Sequence, residues 1–168
     1  MKKTLLAINS MLEKGIISKY AIAGGIAHFY YIEPSVTFDL DLVVSINSEA
    51  NSLAPLSQIY DWAKERNYPS EGEHLIIEGI PVQFLLAYNP LVSDGLDHAV
   101  QVTVFEVNTF IFEAEYLMAI MLQTGRPSDN ERLIRFLSEA EFDSDKLNSI
   151  LEKHNLMNKY FNFRERRL

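Results

Sequence analysis

The chain has 168 residues, 48% of them apolar and 23% charged, which is one domain's length with enough apolar surface to exclude a mainly disordered chain. Fifteen basic and 23 acidic side chains leave a net charge of −8, a field that repels nucleic acid and argues against a role coating DNA or RNA. No cysteine is present, which excludes disulfides, thiol catalysis and cysteine-ligated zinc.

In chain order, residues 3–15 place Leu5, Leu6, Ile8, Met11 and Leu12 at helical spacing, with Gly15 as a stop. Met1 to Ala7 opens like a signal peptide, but Asn9, Ser10, Glu13 and Lys14 interrupt it. No apolar run reaches the ~20 residues that span a bilayer, so no membrane partner is expected and the expected location is cytoplasmic. Tyr20 to Ala23 is a short buried strand running into Gly24-Gly25, and Ile26 to Tyr31 reads as a short helix ended by Pro34. The alternation from Phe38 to Val44 predicts a strand, and residues 52–66 an amphipathic helix.

Glu73 to Glu78 and Ile80 to Leu86 predict a hairpin turning at Glu78-Gly79. Residues 91–99 are helical in pattern, followed by strands over Gln101–Val107 and Thr109–Phe112. From Ala114 the pattern is helical to the end, broken at Gly125-Arg126-Pro127, near Phe142-Asp143 and near His154-Asn155. Strands first and helices last favour an α+β architecture: a core over residues 1–112 and a helical segment over 113–168 packed on it as one unit.

Glycine-rich dinucleotide and Walker-type loops are absent, as are the zinc-protease and nucleophile-elbow motifs, and the four histidines do not cluster at ligand spacing. One constellation stands out. Gly24-Gly25 follows a strand and is itself followed by Asp39-Leu40-Asp41. Carboxylates two apart on a strand share a face, where they repel unless a cation or solvent balances them. Such a pair suits a hard cation such as Mg²⁺, which takes oxygen ligands and leaves room for phosphate. A Gly-Gly turn opening a helix offers backbone N–H groups to a phosphate. Together they point to phosphoryl or nucleotidyl transfer; the plain alternative is a solvent-facing Asp-x-Asp and an ordinary turn. Thr37, just before the acidic strand, is a lesser candidate for phosphate or metal-bound water. Arg126 and Asp129 are candidates for a phosphate clamp, or alternatively a turn with Ser128 or Asp129 capping the next helix.

The run from Tyr20 to Val44 resembles the nucleotidyltransferase superfamily, and is most similar to the AbiEii-type toxins of bacterial toxin–antitoxin and abortive-infection systems. Pro81 to Leu85, Glu115 to Ile120 and Gly125 to Asp129 extend the resemblance, which covers roughly residues 18–137. It implies a mixed sheet flanked by helices and transfer of a nucleoside monophosphate from a nucleoside triphosphate to a hydroxyl on RNA, protein or a small molecule. Asp39 and Asp41 would hold Mg²⁺ and act in catalysis; Gly24, Gly25, Thr37 and Arg126 would bind the nucleotide. An antitoxin protein is an implied partner, as is an RNA acceptor. The superfamily's third carboxylate corresponds here to Gln83, and two lysines usual in the toxins correspond to Met121 and Ser128. Those replacements favour an alternative, a non-catalytic module that binds a nucleotide or an antitoxin.

Overall fold

A computed structural model describes residues 1–32, 39–46 and 55–167. The elements up to the end of the sheet are α1 (Lys2–Glu13), β1 (Lys19–Ile22), α2 (Gly24–Tyr31), β2 (Leu40–Ser45), α3 (Ser57–Glu65), β3 (Ser70–Glu71), β4 (His74–Ile77), β5 (Ile80–Leu86), α4 (Pro90–Asp97), β6 (Val100–Val104) and β7 (Val107–Ile111). Four helices follow: α5 (Ala114–Thr124), α6 (Pro127–Glu139), α7 (Ser144–Lys153) and α8 (Met157–Arg167).

The strands form one sheet in the order β3-β4-β5-β2-β1-β7-β6. β2 lies at its centre, antiparallel to β1 and parallel to β5, and β1 runs parallel to β7. The architecture is therefore α+β with a mixed sheet. Leu40, Leu42 and Val44 are fully buried on one face of β2, while Asp41 and Val43 point to the other. Tyr20 pairs with Val44 and so shares the first face. There its hydroxyl bonds Asn9 of α1 and lies 2.9 Å from Thr109 of β7, which fixes α1 against that face.

The opposite face is closed by α4 and by α5, which is buried nearly all round and packs against α4, α6 and α7. A helix apolar on every side is a core helix. Its end is set by Gly125, whose φ of +65° closes a left-handed cap, and Pro127 then opens α6 at a position that needs no N–H donor. Asn89 caps α4 through Val92 N–H, and Asp143 caps α7 through the N–H groups of Asp145 and Lys146. A polar knot ties the helical layer together. Asp94 of α4 accepts from Lys153 of α7, lies 2.9 Å from Nε2 of His154 at the C-cap of α7, and accepts from the Tyr116 hydroxyl of α5. These donors hold the Asp94 carboxyl down at about 2 despite its partial burial.

The element order matches the sequence reading, with instructive differences at the edges. The strand expected over Gln101–Val107 stops at Val104, because Phe105 and Glu106 turn with φ of +50° and +61°. The short edge strand β3 was not expected. The helix expected over 52–66 starts at Ser57, and residues 52–54 of that expectation lie outside the described residues, as does Phe38 of the expected acidic strand. Arg164 to Arg167 continue α8. Among the described residues no helix is long and apolar enough to cross a membrane.

Candidate functional site

The site begins where β1 ends. Ala23 N–H donates to the Asp41 carbonyl at 2.9 Å, extending the β1–β2 ladder by one bond before the chain turns into α2. Gly24 makes that turn with φ of +55°. A Cβ on Gly24 would lie 1.8 Å from Asp41 Oδ2. Glycine is thus required twice, for its backbone conformation and because the Asp41 carboxylate packs against the first turn of α2. Gly25 follows inside that turn.

Parallel pairing sets Asp41 opposite Gln83 of β5, and antiparallel pairing sets Gln83 opposite His74 of β4. Paired residues share a face, so His74, Gln83 and Asp41 form a row across three adjacent strands. Val82 and Phe84, the neighbours of Gln83, are buried on the other side. Gln83 Nε2 donates to Glu73 Oε2 at 2.8 Å, leaving its carbonyl oxygen as the remaining polar atom. Asp39 immediately precedes β2. The Asp41 carboxyl is pushed above the usual carboxylate range, first by burial and then by the Asp39 charge; His74 and Arg132 oppose the shift.

Asp41 and Gln83 line a cleft of about 310 Å³ whose far wall is the start of α6, with Arg126, Asp129 and Arg132. Arg126 is the exposed residue preceding Pro127. Asp129 accepts from the Thr124 hydroxyl at 2.7 Å and neither it nor Ser128 caps α6, so the capping role considered for them is not taken up. Met121, at one of the lysine places, is buried beside His28, with Sδ 3.3 Å from Nε2. Burial, then Arg132 and Arg135, hold His28 down at about 4, so its imidazole adds no charge to the cleft at neutral pH. Thr37 lies outside the described residues.

Arg132 is the cleft residue that sequence reasoning passed over. It sits one helical turn beyond Ser128 and so on the same side of α6, and it returns a positive charge near the place where Ser128 has none. The i, i+4 spacing was the available signal. The histidines also hid a grouping: His98 and His154 both reach Asp94, but as part of the knot between helices, away from the cleft. Among the described residues no group of three or more acidic or histidine side chains is arranged to hold a metal.

No family model matches the chain, and no curated protein matches it by sequence. Solved structures do. An antigenic nucleotidyltransferase-like protein from Paracoccidioides brasiliensis is similar over 96% of this chain and 88% of its own, with 16% identity and a TM-score of 0.57. The antibiotic-resistance factor ANT(2'')-Ia, a protein of substrate-regulated conformation dynamics, is similar over 99% of this chain and 98% of its own, with 10% identity and a TM-score of 0.54. The fold is nucleotidyltransferase-like.

Proposed function

We propose that the cleft binds a nucleoside triphosphate with one Mg²⁺ and transfers its nucleoside monophosphate to a hydroxyl. The observation that carries this reading is the half-buried Asp41 carboxylate packed on the Gly24 turn, in one cleft with Arg126 and Arg132. The donor set suits a single hard cation. Asp39 and Asp41 supply charged oxygens whose mutual repulsion a cation would relieve, whereas Gln83 adds a neutral oxygen at most. Mg²⁺ held by the two aspartates would draw negative charge from the α-phosphate.

The chain's own groups do the rest. Backbone N–H groups at Gly24 and Gly25 face a phosphate at the start of α2. Arg126 and Arg132 offset charge on the departing pyrophosphate. The acceptor oxygen bonds to the α-phosphorus as the bond to the pyrophosphate oxygen breaks. Gln83 has no basic atom, so the acceptor's proton passes to water and transfer is slow. A second reading draws on the same residue: with Gln83 tied to Glu73 and no carboxylate in its place, a non-catalytic module that binds the nucleotide, or an antitoxin as in the AbiEii-type systems it resembles, uses the same fold.

Calorimetric titration with ATP tests the proposal. Affinity is expected to depend on Mg²⁺, to fall in Asp41→Asn, and to fall roughly ten-fold in Arg132→Met, the worth of one charge-assisted contact. Equal affinity with and without Mg²⁺, or an unaffected Asp41→Asn, contradicts it. Bound ATP with no pyrophosphate released over any acceptor selects the non-catalytic reading.

A further inference from the structure

A second cavity, of about 360 Å³, adjoins the cleft, and Thr124 lines both. Its outer wall is one face of α8, where Lys159, Asn162, Phe163 and Arg166 recur at i, i+3, i+4 and i+7. The apolar stripe of α8 runs through the buried Tyr160 and Phe163, and Lys159, Asn162 and Arg166 lie exposed along its edge. The facing wall contributes Thr124, Gly125 and Asn130.

Among the described residues no carboxylate lines this cavity, although acidic side chains outnumber basic ones by 23 to 15 in the chain. Lys159 is held in place by donating to the Gln123 carbonyl at 2.8 Å, and Asn130 by donating to that of Gly125. Arg166 and Asn162 have no hydrogen-bond or ion-pair partner among the described residues. Two cations and two amides thus converge on one polar space with donors to spare. Convergent donors of this kind match a dianionic tetrahedral group with three acceptor oxygens, and the guanidinium fork adds geometric fit.

We propose that this cavity binds the phosphate monoester of a small phosphorylated acceptor, whose hydroxyl-bearing end extends past Thr124 into the cleft. As an acceptor site it rests on the function proposed above. As a phosphomonoester site it stands on the cavity alone. A cationic acceptor is disfavoured, because two positive charges guard the neighbouring space that shares Thr124 with the cleft.

Ribose 5-phosphate is the probe, titrated into the full chain and followed by calorimetry and by backbone amide shifts, with unphosphorylated ribose as control. Binding is expected for the phosphorylated sugar only, with shifts at Thr124, Asn130 and α8. Affinity should fall at least ten-fold in Lys159→Gln/Arg166→Gln and persist in Asp41→Asn. Lys159 also holds the end of α5, so Arg166→Gln alone provides a variant with no contact to lose; several-fold weakening is expected there. Unchanged affinity in both variants, no binding by the wild type, or simple competition with ATP for one site overturns the proposal. If ATP binding proves insensitive to Mg²⁺ and Asp41→Asn while ribose 5-phosphate still requires Arg166, the cleft reading fails and the phosphomonoester site remains.

Discussion

At Gly24 a backbone torsion and a side-chain approach impose the same choice of residue. A left-handed conformation costs a non-glycine residue about 1–2 kcal/mol. An added Cβ would also displace the Asp41 carboxylate. Gly24→Ala is therefore expected to lose about 2 kcal/mol or more in urea denaturation and to weaken ATP binding. A loss under about 0.5 kcal/mol, the scale of an ordinary surface change, would mean that Asp41 does not rest there. His28 supplies a prediction in pH. Its folded value of about 4 lies below the ordinary value of 6.5, so the unfolded chain takes up the proton first. Stability is unaffected above pH 6.5 and declines as pH falls from there to about 4. The variant His28→Leu should lack that part of the decline, and wild-type and variant urea midpoints that run parallel across this window would contradict the assignment. That Gly24 and Asp41 come together was legible in sequence because each stands in a short local pattern, whereas Asp39 and Gly25 are not among the residues lining the cleft. Arg132 and the Asp94 knot were not legible, because their partners arrive through packing of distant elements: Asp94 and His154 are 60 residues apart.

The two hairpins show the same divide among elements. Glu78-Gly79 turns with φ of +52° and +79°, and its glycine announces the turn. Phe105-Glu106 adopts two positive φ values with no glycine or asparagine, so the sequence reads there as continuing strand. Replacing Glu106 by glycine removes one such strain. The exposed ion pair with Lys2 that is lost contributes little. Glu106→Gly is expected to gain roughly 0.5–1 kcal/mol, a rise of a few degrees in thermal midpoint. A lower midpoint would place the importance in the Lys2 contact instead. The C-terminal helices were bounded well in sequence because their breaks are local: the left-handed Gly125, the Asp143 cap and the positive φ of Asn155. What α8 faces was not legible, since its cationic stripe reads as a solvated end until α5 and α6 are set against it.

For the whole molecule, the sheet order puts β2 at the centre and brings Asp41, Gln83 and His74 into one row, while α6 adds cations from beyond residue 125. The central claim is that this row and the Gly24 turn form a site made for a cation and a phosphate. An Asp41 carboxyl raised above its unfolded value destabilises the folded chain at pH above that raised value, and the penalty is relieved as pH falls through it. A cation relieves it at neutral pH instead. The most direct measurement is the thermal midpoint of wild type, Asp41→Asn and Gln83→Asp across a Mg²⁺ series at pH 7. Without metal, Asp41→Asn should melt above wild type and Gln83→Asp below it, because one loses and the other gains a repelled charge. Added Mg²⁺ should raise the wild-type midpoint, raise Gln83→Asp more steeply, and leave Asp41→Asn nearly flat. Three parallel curves would contradict the account.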